Sequence, residues 1–467
     1  MAYKLLIDGK LVDGAATLDV IDPATGAVFE TCARADAAQL DEAVAAAKRA
    51  FPAWSALPHA ERRVYLERLA DAMEARFAEF CTLLTREQGK PTPQAQFEIG
   101  GTVAALRYFA AQDLPIELIR ETEQEKIVEQ RIPLGVIAAI TPWNFPIILL
   151  MLKLAPALAI GNTMVAKPAP STPLTTALFG ELAADILPPG VLNVIVDAND
   201  LGARLTDHPD VAKVSFTGST ATGKRVMASA AGTLKRLTLE LGGNDAAIIL
   251  DDADVKTVAP KVFDAAMINA GQVCLAVKRV YAPRPMMDAL CAEFARLGAE
   301  AVVDDGLNQG ATIGPVQNKA QYDKVLALID EAKSEGRVVV GGEPLGRDGY
   351  FIAPTVIRDL PDDARLVREE QFGPVFPVLA YDDLDEVIAR ANDSDFGLGG
   401  TIWTSDPDRG MAVALRIHSG TVWVNKHLDM PFDIPFGGAK QSGLGREQGV
   451  DGMKEFTQAK IINIAKR

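Results

Sequence analysis

The chain has 467 residues, which is enough for two or three domains with large hydrophobic cores. Hydrophobic residues make up 48% of it and charged residues 23%, as in ordinary globular proteins. The net charge is −15 and no basic patch is visible, which argues against a nucleic-acid partner and against an anionic membrane surface.

The cysteines, the histidines and the apolar runs argue against several further classes of protein. The four cysteines form no Cys-x-x-Cys pair and the four histidines show no ligand spacing, so we expect neither a disulfide framework nor a metal site. The N-terminus lacks the hydrophobic core of a signal peptide. The most apolar run, residues 147–160, is too short to span a bilayer. We therefore expect a cytoplasmic protein without a membrane partner.

The first third of the chain predicts strands and then helices. Turn signals separate short strands within residues 4–30. Asp36 is typical of a helix N-cap, and the apolar spacing after it predicts a helix. One further helix is predicted to include residues 66–84 and to stop at Gly89. The polar segment 120–131 is either a solvated linker or an exposed ribbon that needs a partner, and its residues leave both open.

After Gly135, continuous apolar strands alternate with helices, which is typical of a parallel sheet covered on both faces. The predicted strands are 135–140, 163–166, 191–196, 211–216, 235–241 and 246–250, and the predicted helices are 147–160, 172–187 and one from about Gly223. This pattern predicts a doubly wound α/β domain, in which ligands bind at the carboxyl ends of the strands. The alternation resumes in residues 255–425, which predicts a second α/β domain, and 459–464 is a predicted last strand.

Cys274, in the segment Asn269–Leu275, is the candidate nucleophile. A lone cysteine is more often a small core residue, so this interpretation depends on other residues. Asn144 follows a strand between two aromatic residues, where its amide is suited to donate to an oxyanion. Glu240 ends an apolar strand, where a carboxylate needs a partner or a raised pKa, and it is suited to act as a general base. A turn-stabilising Asn and a Glu bonded to backbone amides are the structural alternatives.

The glycine-rich loop 218–225 follows a strand and opens a helix, as phosphate-binding loops do. Arg225 stands where the nucleoside-triphosphatase motif requires Ser or Thr, and the Rossmann glycine pattern is absent. A plain turn is the alternative. Glu370 and Phe372 offer a carboxylate and an aromatic ring on one side of an extended segment. Together, these features suit a thiol enzyme with a nucleotide-sized cleft.

Seven motifs occur in the order found in the NAD(P)-dependent aldehyde dehydrogenase superfamily, which the chain resembles over essentially its whole length. Within that superfamily it is most similar to the bacterial Streptomyces AldA-like group. The motifs are Pro142–Pro146, Lys167–Pro168, Phe216–Ser219, Leu239–Gly243, Gly271–Cys274, Glu370–Pro374 and Pro435–Gly438.

The resemblance implies an α/β architecture with two doubly wound domains and a β-ribbon for oligomerisation. The implied ranges are 1–111 and 132–241 for a Rossmann-like NAD(P)-binding domain, 242–441 for the catalytic domain, and 112–131 with 450–467 for the ribbon. The implied partners are a small aldehyde and further copies of the chain, in a homodimer or homotetramer.

The resemblance also implies a mechanism. Cys274 attacks the aldehyde as a thiolate, while the Asn144 side chain and the Cys274 N–H hold the oxyanion of the thiohemiacetal. Hydride transfer to the nicotinamide leaves a thioester on Cys274, and Glu240 activates the water that hydrolyses it to the carboxylic acid. Glu447 joins a proton relay.

By the same resemblance the cofactor is NAD or NADP. Implied cofactor-binding residues are Ile140, Thr141, Pro142, Trp143, Lys167, Gly218, Ser219, Gly223, Leu241, Glu370 and Phe372, and implied substrate-binding residues are Phe145, Leu149 and Leu152. NAD-preferring members of the family usually have Glu three residues after the Lys of the Lys167–Pro168 motif, where it binds the adenine ribose. Pro170 supplies neither that hydrogen bond nor a charge that repels a 2′-phosphate, so NADP is also an expected cofactor.

The sequence departs from the family pattern in two further places, and three alternative functions stay open. Leu149 and Leu152 replace bulkier residues, which predicts a roomy apolar tunnel, whereas the meaning of Asn244-Asp245 stays open. The alternatives are a coenzyme A-acylating enzyme, a nucleoside triphosphate-binding protein built on the Gly218 loop, and a non-catalytic scaffold. Acylating members usually lack Glu240.

Overall fold

The structure is a computed structural model that describes residues 3–466, and its N-terminal part consists of short strands followed by helices. These elements are β1 (Leu5–Ile7), β2 (Lys10–Val12), β3 (Ala16–Asp22), β4 (Ala27–Arg34), α1 (Ala37–Ala56), α2 (His59–Ala75), α3 (Phe77–Gln88) and α4 (Thr92–Ala110). The Asp36 side chain caps α1 by accepting the Gln39 N–H, as predicted.

The prediction of one helix through residues 66–84 is wrong. The chain leaves helical geometry at Arg76, with φ −109° and ψ 22°, between α2 and α3. Both helices place apolar residues against the same core, so the spacing of these residues continues across the break. No Gly or Pro marks the break in the sequence. At the end of α3, Gly89 has φ +95°, and this left-handed C-cap confirms the predicted helix end.

The middle of the chain alternates strands with helices. Its elements are β5 (Glu117–Glu121), β6 (Glu125–Pro133), β7 (Val136–Ile140), α5 (Pro146–Ile160), β8 (Thr163–Lys167), α6 (Leu174–Ile186), β9 (Leu192–Val194), α7 (Gly202–Asp207), β10 (Val211–Thr217), α8 (Thr220–Ala230) and β11 (Arg236–Glu240). All five residues of β7 and all five of β8 are buried, as expected for strands covered on both faces.

The last part of the chain continues this alternation. Its elements up to residue 381 are β12 (Asp245–Ile249), α9 (Val255–Met267), β13 (Val277–Pro283), α10 (Met287–Glu300), α11 (Lys319–Glu335), β14 (Arg337–Val340), β15 (Thr355–Arg358), α12 (Arg365–Arg368) and β16 (Val375–Tyr381). The remainder are α13 (Leu384–Asn392), β17 (Phe396–Gly397), β18 (Gly399–Trp403), α14 (Pro407–Ala414), β19 (Thr421–Val424), β20 (Ala439–Lys440), β21 (Gly443–Leu444), α15 (Gly449–Lys454) and β22 (Thr457–Ala465).

The first sheet has eight strands in the order β2-β1-β9-β8-β7-β10-β11-β21. Strands β9, β8, β7, β10 and β11 run parallel. The strand order reverses between β7 and β10. In an open parallel sheet, the crevice at the carboxyl ends of the two strands beside such a reversal is where ligands bind.

The second sheet has seven strands in the order β14-β15-β16-β13-β12-β18-β19, and all its pairs except β14 with β15 are parallel. The sequence pattern assigned the strand at 246–250 to the first sheet, and this is wrong, because β12 pairs with β13 and β18 in the second. An apolar strand can be buried in either sheet, so its composition does not identify its neighbours. The α/β fold itself is confirmed, whereas the predicted domain boundaries stay a prediction.

The polar segment near residue 125 forms a ribbon and not a solvated linker. Strands β22, β6 and β5 make a three-stranded antiparallel sheet, in which Ile461 is opposite Glu129 and Leu118 is opposite Val128. Among the helices of residues 3–466, none combines the length and the apolar character that crossing a membrane requires.

Candidate active site

A cleft of about 200 Å³ is lined by residues from the carboxyl ends of strands in the first sheet and from loops and α11 beside the second. Its lining residues are Pro142, Trp143, Asn144, Leu149, Thr217, Gly218, Ser219, Leu241, Gly242, Cys274, Gln321, Lys324, Glu370 and Phe372. Ten of the predicted site residues therefore line one cavity. They are Pro142, Trp143, Asn144, Leu149, Gly218, Ser219, Leu241, Cys274, Glu370 and Phe372.

A larger, more open cleft of about 860 Å³ lies elsewhere, beside α7 and α8. Its Arg204 Nε already donates to Asp41 at 2.8 Å, and its lining includes no thiol and no Phe, Tyr or Trp ring. The smaller cleft is the better candidate, because a reactive side chain and several convergent polar groups meet there.

A strained backbone presents Cys274 to the cleft. Asn269, Ala270 and Gly271 have φ of +51°, +53° and +71°, three consecutive residues in the left-handed region. This conformation costs about 1–3 kcal/mol for each non-glycine residue and persists only where surrounding contacts impose it. A Cβ on Gly271 would lie 2.1 Å from the Gly373 carbonyl oxygen, so only glycine fits there. The turn carries the chain from α9 to the cleft.

Asn144 is bonded to this same loop. Its side-chain Nδ2 donates to the Gln272 backbone carbonyl at 2.9 Å. The Asn144 backbone carbonyl accepts from Asn269 Nδ2 at 3.0 Å and from Lys90 Nζ at 2.9 Å. A primary amide has two N–H groups, so one remains for a ligand in the cleft. Asn144 is therefore held in a fixed position relative to the segment that carries Cys274.

The Cys274 thiol is half-buried, and burial is the main reason why its pKa is raised to about 12. The carboxylates of Glu370, Asp245 and Glu240 raise this pKa further, and the Lys278 ammonium lowers it. With no ligand bound, the cysteine is a thiol at neutral pH. Its reactivity therefore depends on groups that stabilise negative charge.

Glu240 ends β11 and is buried beside the cleft, although it does not line the cavity. Within residues 3–466 neither of its carboxylate oxygens has a hydrogen-bond partner. Burial raises its pKa well above the usual value, and the nearby Glu447 raises it further. A carboxyl group with a raised pKa and free oxygens is suited to take a proton from water.

Glu447 lies in a buried polar cluster near Glu240. Its carboxylate pairs with Lys153 Nζ, which also donates to the Thr217 hydroxyl at 2.7 Å. Ser215 Oγ donates to Glu447 at 3.3 Å. The sequence analysis did not identify Lys153, although a lysine inside the most apolar helix was a usable signal, since buried lysines are paired.

The glycine-rich loop begins α8. Gly218 and Ser219 line the cleft, and the Ser219 side chain caps the helix by accepting the Thr222 N–H. The N-terminus of a helix presents unpaired N–H groups and a positive dipole end, which suit a phosphate. Gly223 lies outside the cavity and packs against Leu241, since a Cβ there would come within 2.5 Å of the leucine side chain.

Across the cleft, Phe372 packs edge-on against Trp143 with ring centroids 5.2 Å apart. Glu370 accepts the Gly243 N–H at 3.0 Å. The α11 side chains Gln321 and Lys324 donate to backbone carbonyls of residues 370–372 and so hold this segment in place. The sequence offered no signal for these two side chains, because an exposed helix face carries many polar residues.

Several implied cofactor residues lie outside the cavity lining. Ile140 is the last residue of β7 and Thr141 follows it, and the Thr141 hydroxyl is buried without a partner in the described part of the chain. Lys167 ends β8 and donates to Asp197 at 2.6 Å. Pro170 lines a separate cleft of about 250 Å³.

The implied substrate residues occupy three different environments. Leu149 lines the cleft, whereas Leu152 is 4% exposed and packs in the core of the first sheet. Phe145 packs with Cys274 in a small apolar cluster whose other members include Val273, Leu275, Trp423, Leu428 and Met430. An apolar surface therefore adjoins the thiol.

Comparison with known proteins gives a consistent result. The sequence pattern described as "Aldehyde dehydrogenase family" matches residues 11–462. The chain is 39% identical to aldehyde dehydrogenase LUC3 of a Fusarium species over 99% of both chains. It is similar to the NAD⁺ complex of an aldehyde dehydrogenase from Bacillus cereus, with a TM-score of 0.97, 35% identity and 100% and 97% coverage. An E. coli NADP-dependent enzyme has a TM-score of 0.96, 36% identity and 99% and 98% coverage.

Proposed function

Because the chain belongs to the aldehyde dehydrogenase family, we propose that its NAD(P)-dependent oxidation of an aldehyde to the carboxylic acid proceeds through a thioester on Cys274. The observation that carries the proposal is the common cavity of Cys274, Asn144, Glu370 and Phe372. It combines a thiol, an amide donor, and a carboxylate with an aromatic ring for a nucleotide.

In the proposed first step, the Cys274 thiol loses its proton to solvent, and the thiolate sulfur attacks the aldehyde carbon to give the oxyanion of a thiohemiacetal. The free N–H of the Asn144 amide and the Cys274 backbone N–H hold the oxyanion. Donors fixed in advance stabilise such charge without reorganisation, and one donor contributes about 3–4 kcal/mol. The hydrogen bonds from Asn144 and Asn269 support this role, because they hold the amide and the nucleophile loop together.

NAD(P) accepts the hydride when it is bound. The chain offers groups that suit it: the α8 N-terminus with Ser219 for a pyrophosphate, Glu370 for a ribose, and the Trp143–Phe372 pair beside the nicotinamide. Ile140, Thr141, Pro142, Lys167, Gly218, Gly223 and Leu241 complete the proposed binding surface. With Pro170 in place of an acidic residue, we propose that the enzyme accepts NADP as well as NAD.

In the last step, Glu240 takes a proton from the water that attacks the thioester. Its free oxygens and raised pKa support this role. The proton then passes toward Glu447, which Lys153 and Ser215 hold nearby. Leu149 in the cleft and Phe145 beside the thiol bind the aldehyde, and their apolar character favours an uncharged, apolar substrate. Leu152, although implied by the resemblance, packs in the core of the first sheet.

Glu240→Gln tests the hydrolytic step. The variant should release one equivalent of NAD(P)H per active site in a burst and then stall, because the thioester is no longer hydrolysed. Cys274→Ala is the matched control and should give no burst. A steady rate that requires coenzyme A and is unaffected by Glu240→Gln would instead establish the acylating enzyme.

Two further measurements address substrate and cofactor. A panel of aliphatic, aromatic and charged aldehydes, each run with NAD and with NADP, gives kcat/KM for every combination. We expect the highest values for apolar aldehydes and activity with both cofactors. Magnesium-ATP binding without NAD(P) binding would favour a nucleoside triphosphate-binding protein, for which Arg225 is the wrong residue.

We also propose a homo-oligomer joined through the ribbon, in the cytoplasm. The four cysteines at 32, 81, 274 and 291 are free, which supports a reducing compartment.

A further inference from the structure

Lys278, in β13, is 1% exposed and donates to the loop that carries the nucleophile. Its Nζ lies 2.5 Å from the Val273 carbonyl oxygen and 3.3 Å from the Gly271 carbonyl oxygen. Both acceptors belong to the segment between the left-handed turn and Cys274. A buried ammonium is costly, so a lysine at this position needs a compensating role.

The Val273 carbonyl belongs to the same peptide unit as the Cys274 N–H. A hydrogen bond donated to a carbonyl oxygen polarises the amide and strengthens its N–H as a donor, and a charged donor has the larger effect. The Ala276 N–H donates to the same oxygen at 3.0 Å. Two donors therefore act on the peptide whose opposite side faces the reacting carbon in the proposed function.

The charged groups around Lys278 leave its protons directed at these carbonyls. Asp245 is 1% exposed and accepts the Gly399 N–H at 3.0 Å, while Glu370 accepts the Gly243 N–H. Burial lowers the pKa of Lys278, and Glu370 and then Asp245 oppose this lowering, although neither carboxylate comes within ion-pair distance of Lys278 in the described residues. Lys324 acts in the opposite direction.

We propose that Lys278 is a positioning residue, which polarises the Val273–Cys274 peptide so that the Cys274 N–H binds the substrate oxyanion more tightly. The inference rests on the proposed role of Cys274. It also gives a meaning to Asp245, which favours the charged form of the buried lysine when it is ionised. Burial raises the pKa of Asp245 to about 7.

The ammonium has a second effect on Cys274, because a nearby positive charge favours the thiolate. The charged groups that face the sulfur are Glu370, Asp245 and Glu240, which oppose the thiolate, and Lys278, which favours it. His427 donates through Nε2 to the Leu275 carbonyl at 2.5 Å, and its pKa is lowered to about 4 by burial, so it is neutral.

Lys278→Met removes the ammonium and keeps most of the side-chain volume. We expect kcat and the rate of the NAD(P)H burst to fall about 10- to 100-fold, since a complete oxyanion donor contributes 10²–10³-fold. The KM for the aldehyde and the Kd for NAD(P) should change by less than about twofold, because the interaction acts mainly in the transition state. Lys278→Gln, an uncharged donor, should give an intermediate loss.

Alkylation by iodoacetamide in the absence of cofactor supplies a second readout. Since the alkylation rate follows the thiolate fraction, we expect Lys278→Met to shift its rise toward higher pH and to slow it at pH 8 by roughly tenfold per pKa unit. Cys274→Ser gives the background from the three other cysteines, which are buried.

Lys213→Met is the matched control for loss of a buried lysine. Lys213 is fully buried, and its Nζ donates to the Thr238 hydroxyl at 2.6 Å and not to the nucleophile loop. It should lower the thermal midpoint of unfolding without shifting the alkylation profile. Wild-type kcat and alkylation in Lys278→Met, or an equal shift in Lys213→Met, would overturn the inference.

The wild-type enzyme separates this inference from the proposed function. If the wild type fails to oxidise aldehydes with NAD or NADP, the proposed function fails. If it oxidises them and Lys278→Met does so equally well, only the role of Lys278 fails.

Discussion

Two carboxylates near the cleft illustrate how environment sets the role of a residue. Glu447 pairs with Lys153, whereas Glu240 has no partner within residues 3–466. A paired carboxylate is stabilised in its charged form, and an unpaired buried one is destabilised in it. Glu240 therefore binds a proton more readily than an exposed glutamate does, as a general base requires, and its ionisation lowers the stability of the fold.

This cost predicts the pH dependence of stability. The pKa of Glu240 is raised in the folded state, so the folded protein keeps its proton where the unfolded chain has lost it. Ionisation therefore lowers the free energy of unfolding progressively as the pH rises from about 4.5 toward the folded pKa. Glu240→Gln should raise the thermal midpoint of unfolding at pH 8 and much less at pH 5. Glu335→Gln, a control at an exposed position, should change the thermal midpoint at neither pH. A larger rise of the midpoint at pH 5 than at pH 8 in Glu240→Gln would contradict the prediction.

Lys153 provides a second prediction at the level of one side chain. Lys153→Met leaves the buried Glu447 carboxylate without its cation, which should destabilise the protein by about 3–5 kcal/mol. Adding Glu447→Gln should recover most of this loss, because no buried charge is then left unpaired. Urea unfolding measures both variants. Lys319→Met, which breaks an exposed ion pair with Asp323, should cost less than about 1 kcal/mol.

At the level of an element, the turn between α9 and Cys274 stores strain at the site. Gly271→Ala would require φ +71° of a residue with a Cβ and would bring that Cβ 2.1 Å from the Gly373 carbonyl oxygen. We expect a loss of about 2–4 kcal/mol in stability and a large loss in kcat, since Cys274 and Phe372 both adjoin the displaced backbone.

Thermal unfolding and steady-state kinetics measure the two effects of Gly271→Ala. Gly100→Ala in α4 is the control, because the added Cβ has nothing within 4 Å beyond its chain neighbours and the backbone of its own helix. It should stabilise the protein by up to about 1 kcal/mol through helix propensity. Equal behaviour of the two variants would show that the turn is not constrained.

The elements also show what sequence patterns can predict. Alternating apolar strands and helices predicted the α/β fold. The segment after β7 and the loops before β13 and β16 bring Asn144, Cys274 and Glu370 to one cavity. The periodicity of apolar residues shows that a strand is buried but not which strands it pairs with. For this reason β12 was assigned to the wrong sheet. Lys278 was not identified because its role depends on two carbonyl oxygens of a turn, and local sequence does not specify such contacts.

At the level of the whole molecule, a short C-terminal segment links the two sheets. Strand β20 pairs with β17, while β21 extends the first sheet beside β11. Between them, Ser442 accepts the Gly397 N–H through its hydroxyl at 2.9 Å and the Leu241 N–H through its carbonyl at 2.8 Å. The two halves of the cleft are therefore held together by backbone pairing, which keeps Glu240 near Cys274.

The ribbon is the part of the molecule that a single chain leaves unfinished. All five residues of β5 and seven of the nine in β22 are exposed. Exposed apolar side chains in and beside it are Ile116, Leu118, Ile119, Ile461 and Ile464. A three-stranded sheet with so little burial is marginally stable alone, so we expect another copy of the chain to cover it.

Ile119→Asp combined with Ile461→Asp tests this assembly. Two charges introduced into an apolar contact should weaken it by about 3 kcal/mol or more, a change of at least roughly 100-fold in the dissociation constant. Sedimentation velocity over a range of protein concentrations should show dissociation of the variant where the wild type remains an oligomer. Val28→Asp is the matched control, because Val28 is 53% exposed on the separate β3–β4 hairpin. Since the cleft is built within one chain, the dissociated variant should keep the burst of NAD(P)H that depends on Cys274. An unchanged oligomer would assign the interface to another surface.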